Sequence, residues 1–180
     1  MIITDPIRKP KFLPIAMKGA PVLRKQAALY QQIDDEARRL AHDMIATMRE
    51  AGGIGLAANQ VGVAKRLIVI DVTGAKDQAS AMFTGLDPVD IDSRMPMILF
   101  NPEIQLSGPQ VLKTEGCLSQ PGVAGPVSRY LQVNVTHWDL FGNECKFSAR
   151  GMLARVIQHE VDHLNGILFT DRLEGPSKTQ

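Results

Sequence analysis

The segment Gln158-His159-Glu160-Val161-Asp162-His163 holds the densest set of chemically capable side chains in the sequence. His159 and His163 are four apart, so on a helix they lie one turn apart on one face, where two imidazoles can hold one metal ion. Glu160 is rotated by about 100° from His159 around the helix axis. That places it badly for a third ligand and well for reaching a metal-bound water as general base. The same residues could decorate a solvated helix face, but the Glu inside the HExxH spacing favours a metal site.

A catalytic ion of this kind takes three protein ligands and keeps a fourth position for water. No histidine follows His163, so the longer metzincin pattern with a downstream third His is absent. His42 lies beside polar residues and reads as solvated, and His137 reads as a core histidine on the inward side of a strand. Cys117, within Glu115-Gly116-Cys117-Leu118-Ser119, is the better candidate, because its neighbours are loop-like and a divalent ion would deprotonate its thiol. Cys145 sits inside a strand pattern and reads as a small buried hydrophobe. A third segment, Gly53-Ile54-Gly55-Leu56-Ala57-Ala58-Asn59-Gln60, superficially fits a dinucleotide fingerprint. That fingerprint needs a strand before it and a helix after it, and here the order is reversed. Its small residues instead let a backbone approach a ligand closely. Gln60 could then offer an amide N–H to a developing oxyanion.

Taken together, GIGLAANQ at 53–60, EGCLS at 115–119 and HEVDH at 159–163 resemble the three motifs of peptide deformylases, in the same order and with every fixed position filled. The resemblance covers most of residues 20–172, including Asn101-Pro102 and the Ala-Arg-Val-Ile-Gln lead into the third motif. It implies a metal-dependent hydrolase, an amidase acting on linear amides. Such an enzyme removes the N-formyl group from the formyl-methionine of nascent polypeptides and releases formate. The resemblance assigns Cys117, His159 and His163 to one divalent ion, Fe²⁺ as the native metal, with Zn²⁺, Ni²⁺ or Co²⁺ able to occupy the site. It makes Glu160 the general base and acid. The Gln60 side chain and the Leu118 backbone N–H become the oxyanion donors. Ile54, Gly55, Gly116, Leu118, Met152 and Val156 become candidates for an apolar methionine pocket, although Met152 and Val156 could equally be core. Arg129 is expected to pair with Glu115 or to hold substrate backbone, with a solvated arginine at a strand start as the plain alternative, and Asp162 to accept from a ligand histidine. Two rival readings fit the same residues: a catalytically silent binding protein of the same shape, and a zincin-type peptidase.

These residues must be positioned by a fold. Ile33, Ala37, Leu40, Ala41, Met44, Ile45 and Met48 recur at helical steps, with Asp34 or Asp35 as the cap and Gly52-Gly53 as the stop. Arg66 to Val72 reads as a buried strand, Met97 to Phe100 as a short one, and residues 73–96 as a long loop. Gly108-Pro109 reads as a turn. Leu131 to Trp138 alternates as a strand, turns at Asp139-Leu140-Phe141-Gly142, and pairs back with Glu144 to Ala149. Helical spacing returns from Gly151 and stops at Asn165-Gly166. Helix, strands, hairpin, helix is not a βαβ alternation. The expectation is an α+β fold: antiparallel β-sheets packed around a central metal-binding HExxH helix, with an N-terminal helix, in a single catalytic domain spanning 1–180.

The chain has 180 residues, 44% apolar and 22% charged, with a formal net charge of +1. A chain of this length buries roughly 70% of its unfolded surface and needs no disulfide to fold. The charge balance leaves no electrostatic footprint for sequence-specific nucleic acid or an anionic membrane. Two cysteines do not make a secreted disulfide scaffold. Met1 to Lys11 has no continuous apolar core for a secretory signal and no transit-peptide character, so bacterial cytoplasm is the expected compartment. The resemblance also brings the ribosome into view as a partner. The basic C-terminal docking helix of some members has no counterpart before Gln180, so contact by that route is not expected. Residues 75–96 are longer than in the shorter bacterial members and read as a surface loop.

Overall fold

The structure, a computed structural model, describes residues 9–75, 79–175 and 178–179. The leader reading at Met1 to Lys11 therefore lies largely outside the described residues. The strands are β1 (Gly55–Ala57), β2 (Leu67–Ile70), β3 (Ser80–Thr84), β4 (Asp87–Val89), β5 (Met97–Cys117), β6 (Gln120–Trp138), β7 (Glu144–Gly151) and β8 (Lys178–Thr179). The helices are α1 (Asp35–Glu50) and α2 (Met152–Leu164). The strands form an antiparallel sheet in the order β1-β2-β5-β6-β7-β3-β4, with β8 on β6.

Strand β2 shows how sequence becomes packing. Its four residues, Leu-Ile-Val-Ile, are all fully buried. Successive strand side chains point to opposite faces. Ile68 and Ile70 join a core with Leu153, Val156, Ile157 and Val161 of α2. Leu67 and Val69 join a second core with Ala37, Ala41, Met44 and Met48 of α1. A strand covered on both faces reads as a continuous apolar run for this reason. Each such buried side chain is worth about 1.5–3 kcal/mol.

Helix α1 starts where the side chain of Asp34 accepts a hydrogen bond from the Ala37 N–H, at 2.8 Å. A cap of this kind contributes about 1 kcal/mol. Helix α2 is capped differently. Gly151 precedes it with φ +69°, and a Cβ there would collide with the Ala79 carbonyl. The orphan N–H groups of Met152 and Leu153 go to the Ala79 carbonyl and the Ser80 hydroxyl.

Several expectations are corrected here. Residues 73–96 are not one long loop, because Ser80–Thr84 pairs with β7 and Asp87–Val89 folds back on it. Alternation was hidden by the Gly85 turn and by Pro88 in an edge strand, where a missing N–H costs nothing. Met97 to Phe100 is not a short strand closed at Asn101-Pro102, and Gly108-Pro109 does not end it. The strand runs on to Cys117, with register shifts at Phe100/Glu103, Ser107/Gln110 and Gly116/Cys117. Bulges absorb the proline and glycine that looked like punctuation. Leu131 to Trp138 is likewise the second half of a 19-residue strand. The EGCLS segment, expected to be loop-like, is the end of β5 and the tight turn into β6.

Candidate active site

Helix α2 carries His159, Glu160 and His163, and the end of β5 carries Cys117. One ligand atom from each of Cys117, His159 and His163 lies within 4.8 Å of the others. Cys117 Sγ stands 3.3 Å from His163 Nε2. His159 gives its Nδ1 to Glu115 at 2.9 Å, which leaves Nε2 for the shared point. One cysteine sulfur and two imidazole nitrogens are a donor set that suits a divalent transition metal. The orphaned, buried Glu160 Oε2 and His163 Nδ1 sit in the same region. The residues present therefore fit the metal that the motifs imply.

Under this cluster lies a buried network. Glu115 accepts two parallel bonds from Arg129, both at 3.0 Å, one from Arg155 at 2.6 Å and one from His159. Arg129 also pairs with Asp162, which takes Arg172 at 2.5 and 2.6 Å. Burial would push the Glu115 carboxyl up, but hydrogen bonds from His159 and Arg129 and the Arg129 charge overcome it and hold it at about 2. An ionised Glu115 fixes the tautomer and the aim of His159. Burial also tends to lower His159, but its bonds to Cys117 and Glu115 outweigh that and raise it; burial and then His159 push His163 down.

Glu160 is buried at 4% exposure. Burial raises its carboxyl to about 7, against the pull of His159 and with a push from Glu115. A carboxyl poised near neutrality can both take and return a proton, and a cation beside it draws the value back down. Gln60 is aimed by its neighbours: its Oε1 accepts from the Ala57 N–H at 2.9 Å, and its Nε2 donates to Ser119 Oγ at 3.2 Å and Cys117 Sγ at 3.5 Å.

A cleft of about 550 Å³ opens over these groups. Ile54, Gly55, Gly116, Met152 and Val156 line it, together with Gln60, Cys117, Leu118, His159 and Glu160. Gly55 is needed for contact: a Cβ there would stand 2.8 Å from Val156 Cγ1 and closer still to Glu160 Oε1. Of the roles open to Arg129, the structure shows the pairing with Glu115. It is 4% exposed, spent on Glu115 and Asp162, and is not among the residues lining the cleft. Asp162 accepts from arginines rather than from a ligand histidine. His137 is buried, with Nδ1 3.0 Å from the Trp138 carbonyl oxygen, as expected of a core histidine. Cys145 is half-buried rather than a core hydrophobe. Sequence reasoning missed Arg155 as a partner of Glu115, although its place four residues before His159 puts it on the same helix face. It also missed Gln120 in the cleft wall.

The comparisons agree with this geometry. A sequence model of the family described as polypeptide deformylase matches residues 12–179. The chain belongs to the peptide deformylase family. Among deformylase relatives, that of a Picosynechococcus species is 46% identical over 157 residues, covering 87% of this chain and 76% of its own. That of Methylacidiphilum infernorum is 40% identical over 166 residues, covering 92% and 87%. The crystal structure of a deformylase from Synechococcus elongatus in complex with actinonin superposes with TM-score 0.79 at 40% identity, over 96% of this chain and 87% of that one. A Met-Ala-Ser-bound deformylase from Acinetobacter baumannii gives 0.76 at 35%, over 92% and 100%. Among the described residues, no helix is long and apolar enough to cross a membrane.

Proposed function

We propose that this chain removes the formyl group from N-formyl-methionyl nascent peptides, releasing formate and a free amino terminus, in the bacterial cytoplasm. The observation that carries the reading is the convergence of Cys117, His159 and His163 beside a buried Glu160 in a cleft wall. The family's activity and the relatives' complexes with actinonin and Met-Ala-Ser support it.

In this reading 1–180 is one catalytic domain whose antiparallel sheet packs against the metal-binding helix. Cys117, His159 and His163 hold one divalent ion, Fe²⁺ in the cell, with Zn²⁺, Ni²⁺ or Co²⁺ as substitutes. When bound, the ion supplies Lewis acidity and acidifies a water. Glu160 takes the proton of the attacking water and delivers one to the departing amine. The Gln60 Nε2–H that rests on Cys117 Sγ turns to the formyl oxygen and, with the Leu118 backbone N–H, meets the charge that develops there. Ser119 and Ala57 keep the Gln60 amide turned that way round, since Oε1 is already occupied by an N–H. Gly55 and Val156 bring substrate against Glu160, and Ile54, Gly116 and Met152 complete an apolar pocket for a flexible thioether.

The test is formate release from formyl-Met-Ala-Ser by anaerobically purified, metal-loaded protein, run beside cleavage of an unformylated peptide. Formate without internal cleavage supports the reading. Cleavage without formate replaces it with a peptidase.

A further inference from the structure

Gln120 is the first residue of β6, directly after the Leu118-Ser119 turn, and its cross-strand partner is Cys117. Directly opposed residues in an antiparallel pair project to the same face, with Cβ atoms about 4.5–5.5 Å apart. Gln120 therefore stands beside the Cys117 thiol, and it lines the same cleft. It is 3% exposed, and neither its Oε1 nor its Nε2 has a hydrogen-bond partner.

The other buried carboxamides are used. Gln60 is bonded at both ends, Gln158 exchanges bonds with the Tyr130 backbone, Asn101 does the same with Tyr30, and Asn59 donates to Val22 and Lys25. Among the described residues, the Gln120 amide is the buried carboxamide bonded at neither end. A buried amide without partners is costly, and an apolar side chain of the same shape would avoid that cost. Such groups are explained most simply by a partner that arrives.

The two orphaned ends define the partner. It must offer one acceptor and one donor together. A peptide unit does; a thioether offers only a weak acceptor, and a carboxylate only acceptors. Turning the amide toward an occupant of the cleft breaks no existing hydrogen bond. We infer that Gln120 is a specificity-determining residue whose carboxamide grips the first peptide unit after the methionine of the bound chain. This deepens the proposed function and rests on it only in taking the occupant to be a peptide.

The test uses binding, so that it does not depend on turnover. Nickel-loaded protein is titrated with Met-Ala-Ser and with the analogue in which an ester replaces the Met–Ala peptide bond. Gln120→Leu is expected to bind Met-Ala-Ser about tenfold more weakly, the worth of one net hydrogen bond, and to shrink the preference for peptide over ester. Its Tm is expected to rise, because the orphaned amide is gone. Unchanged affinity together with an unchanged peptide-to-ester ratio overturns the inference. Gln120→Met serves the same test if the leucine variant does not fold. Formate release is measured separately: its absence alongside Gln120-dependent peptide binding would sink the deformylase reading and leave this one standing.

Discussion

Glu115 Oε2 lies 2.9 Å from His159 Nδ1 while Arg129 and Arg155 hold the same carboxylate from its other sides. The end of β5 thus aims a helix side chain through a charge that cannot move. Glu115→Gln keeps the shape and removes the charge. Metal affinity is expected to fall about 10–100-fold, as for other partners that orient a ligand histidine. Competition with a chelator reads this directly. Native affinity in the variant would remove Glu115 from the site.

Cys117→Ser exchanges a sulfur ligand for a hydroxyl at the convergence point. The variant is expected to fold and to lose metal on dialysis, since a hydroxyl is a far weaker ligand for a borderline ion. Metal content after gel filtration is the measurement. Stoichiometric retention would reject Cys117 as a ligand.

Gly55→Ala inserts a methyl group against Val156 and Glu160. Overpacking of this kind costs about 1–3 kcal/mol. Activity is expected to fall further than stability, because the displaced atom belongs to Glu160. Gly74→Ala, whose added Cβ would meet nothing within 4 Å and which lies outside the cleft lining, is the control. Equal activity in the two variants would mean that Gly55 is not placed as described.

Asp71 is buried, which would raise its carboxyl, but hydrogen bonds from Thr73 and Arg49 and the Arg49 charge bring it below the ordinary value. A depressed carboxyl adds stability above its unfolded pKa of about 3.9, and that contribution is lost as pH falls through the lower folded value. Asp71→Asn is expected to be less stable than the parent at pH 7 and nearly equal to it at pH 2.5, by urea unfolding. Arg49 is half exposed, so the difference is modest. A gap that widens on acidification would contradict the assignment.

The helical part of the candidate site is legible because its spacing is local. Two histidines and a glutamate at helical offsets reveal their geometry within five residues, and α1 declared itself through a cap and a periodic apolar face. What escaped depended on pairing across distance. Pro102, Gly108 and Pro109 look like ends of strands in isolation, yet bulges carry β5 through them to Cys117. Ser80 looks like part of a loop, yet its hydroxyl caps the helix that bears His159. By sequence Arg129 suits either a partner of Glu115 or a substrate contact. Only the buried carboxylates on both its sides decide that it is spent within the protein.

The most direct measurement of the central claim is the rate of formate release from formyl-Met-Ala-Ser by metal-loaded protein and by its Glu160→Gln variant, with metal content determined on the same samples. The account predicts rapid release by the parent and a loss of about 10²–10⁴-fold or more in a variant that remains folded and metal-loaded. Near-parental release from that variant, or none from a fully loaded parent, would contradict it.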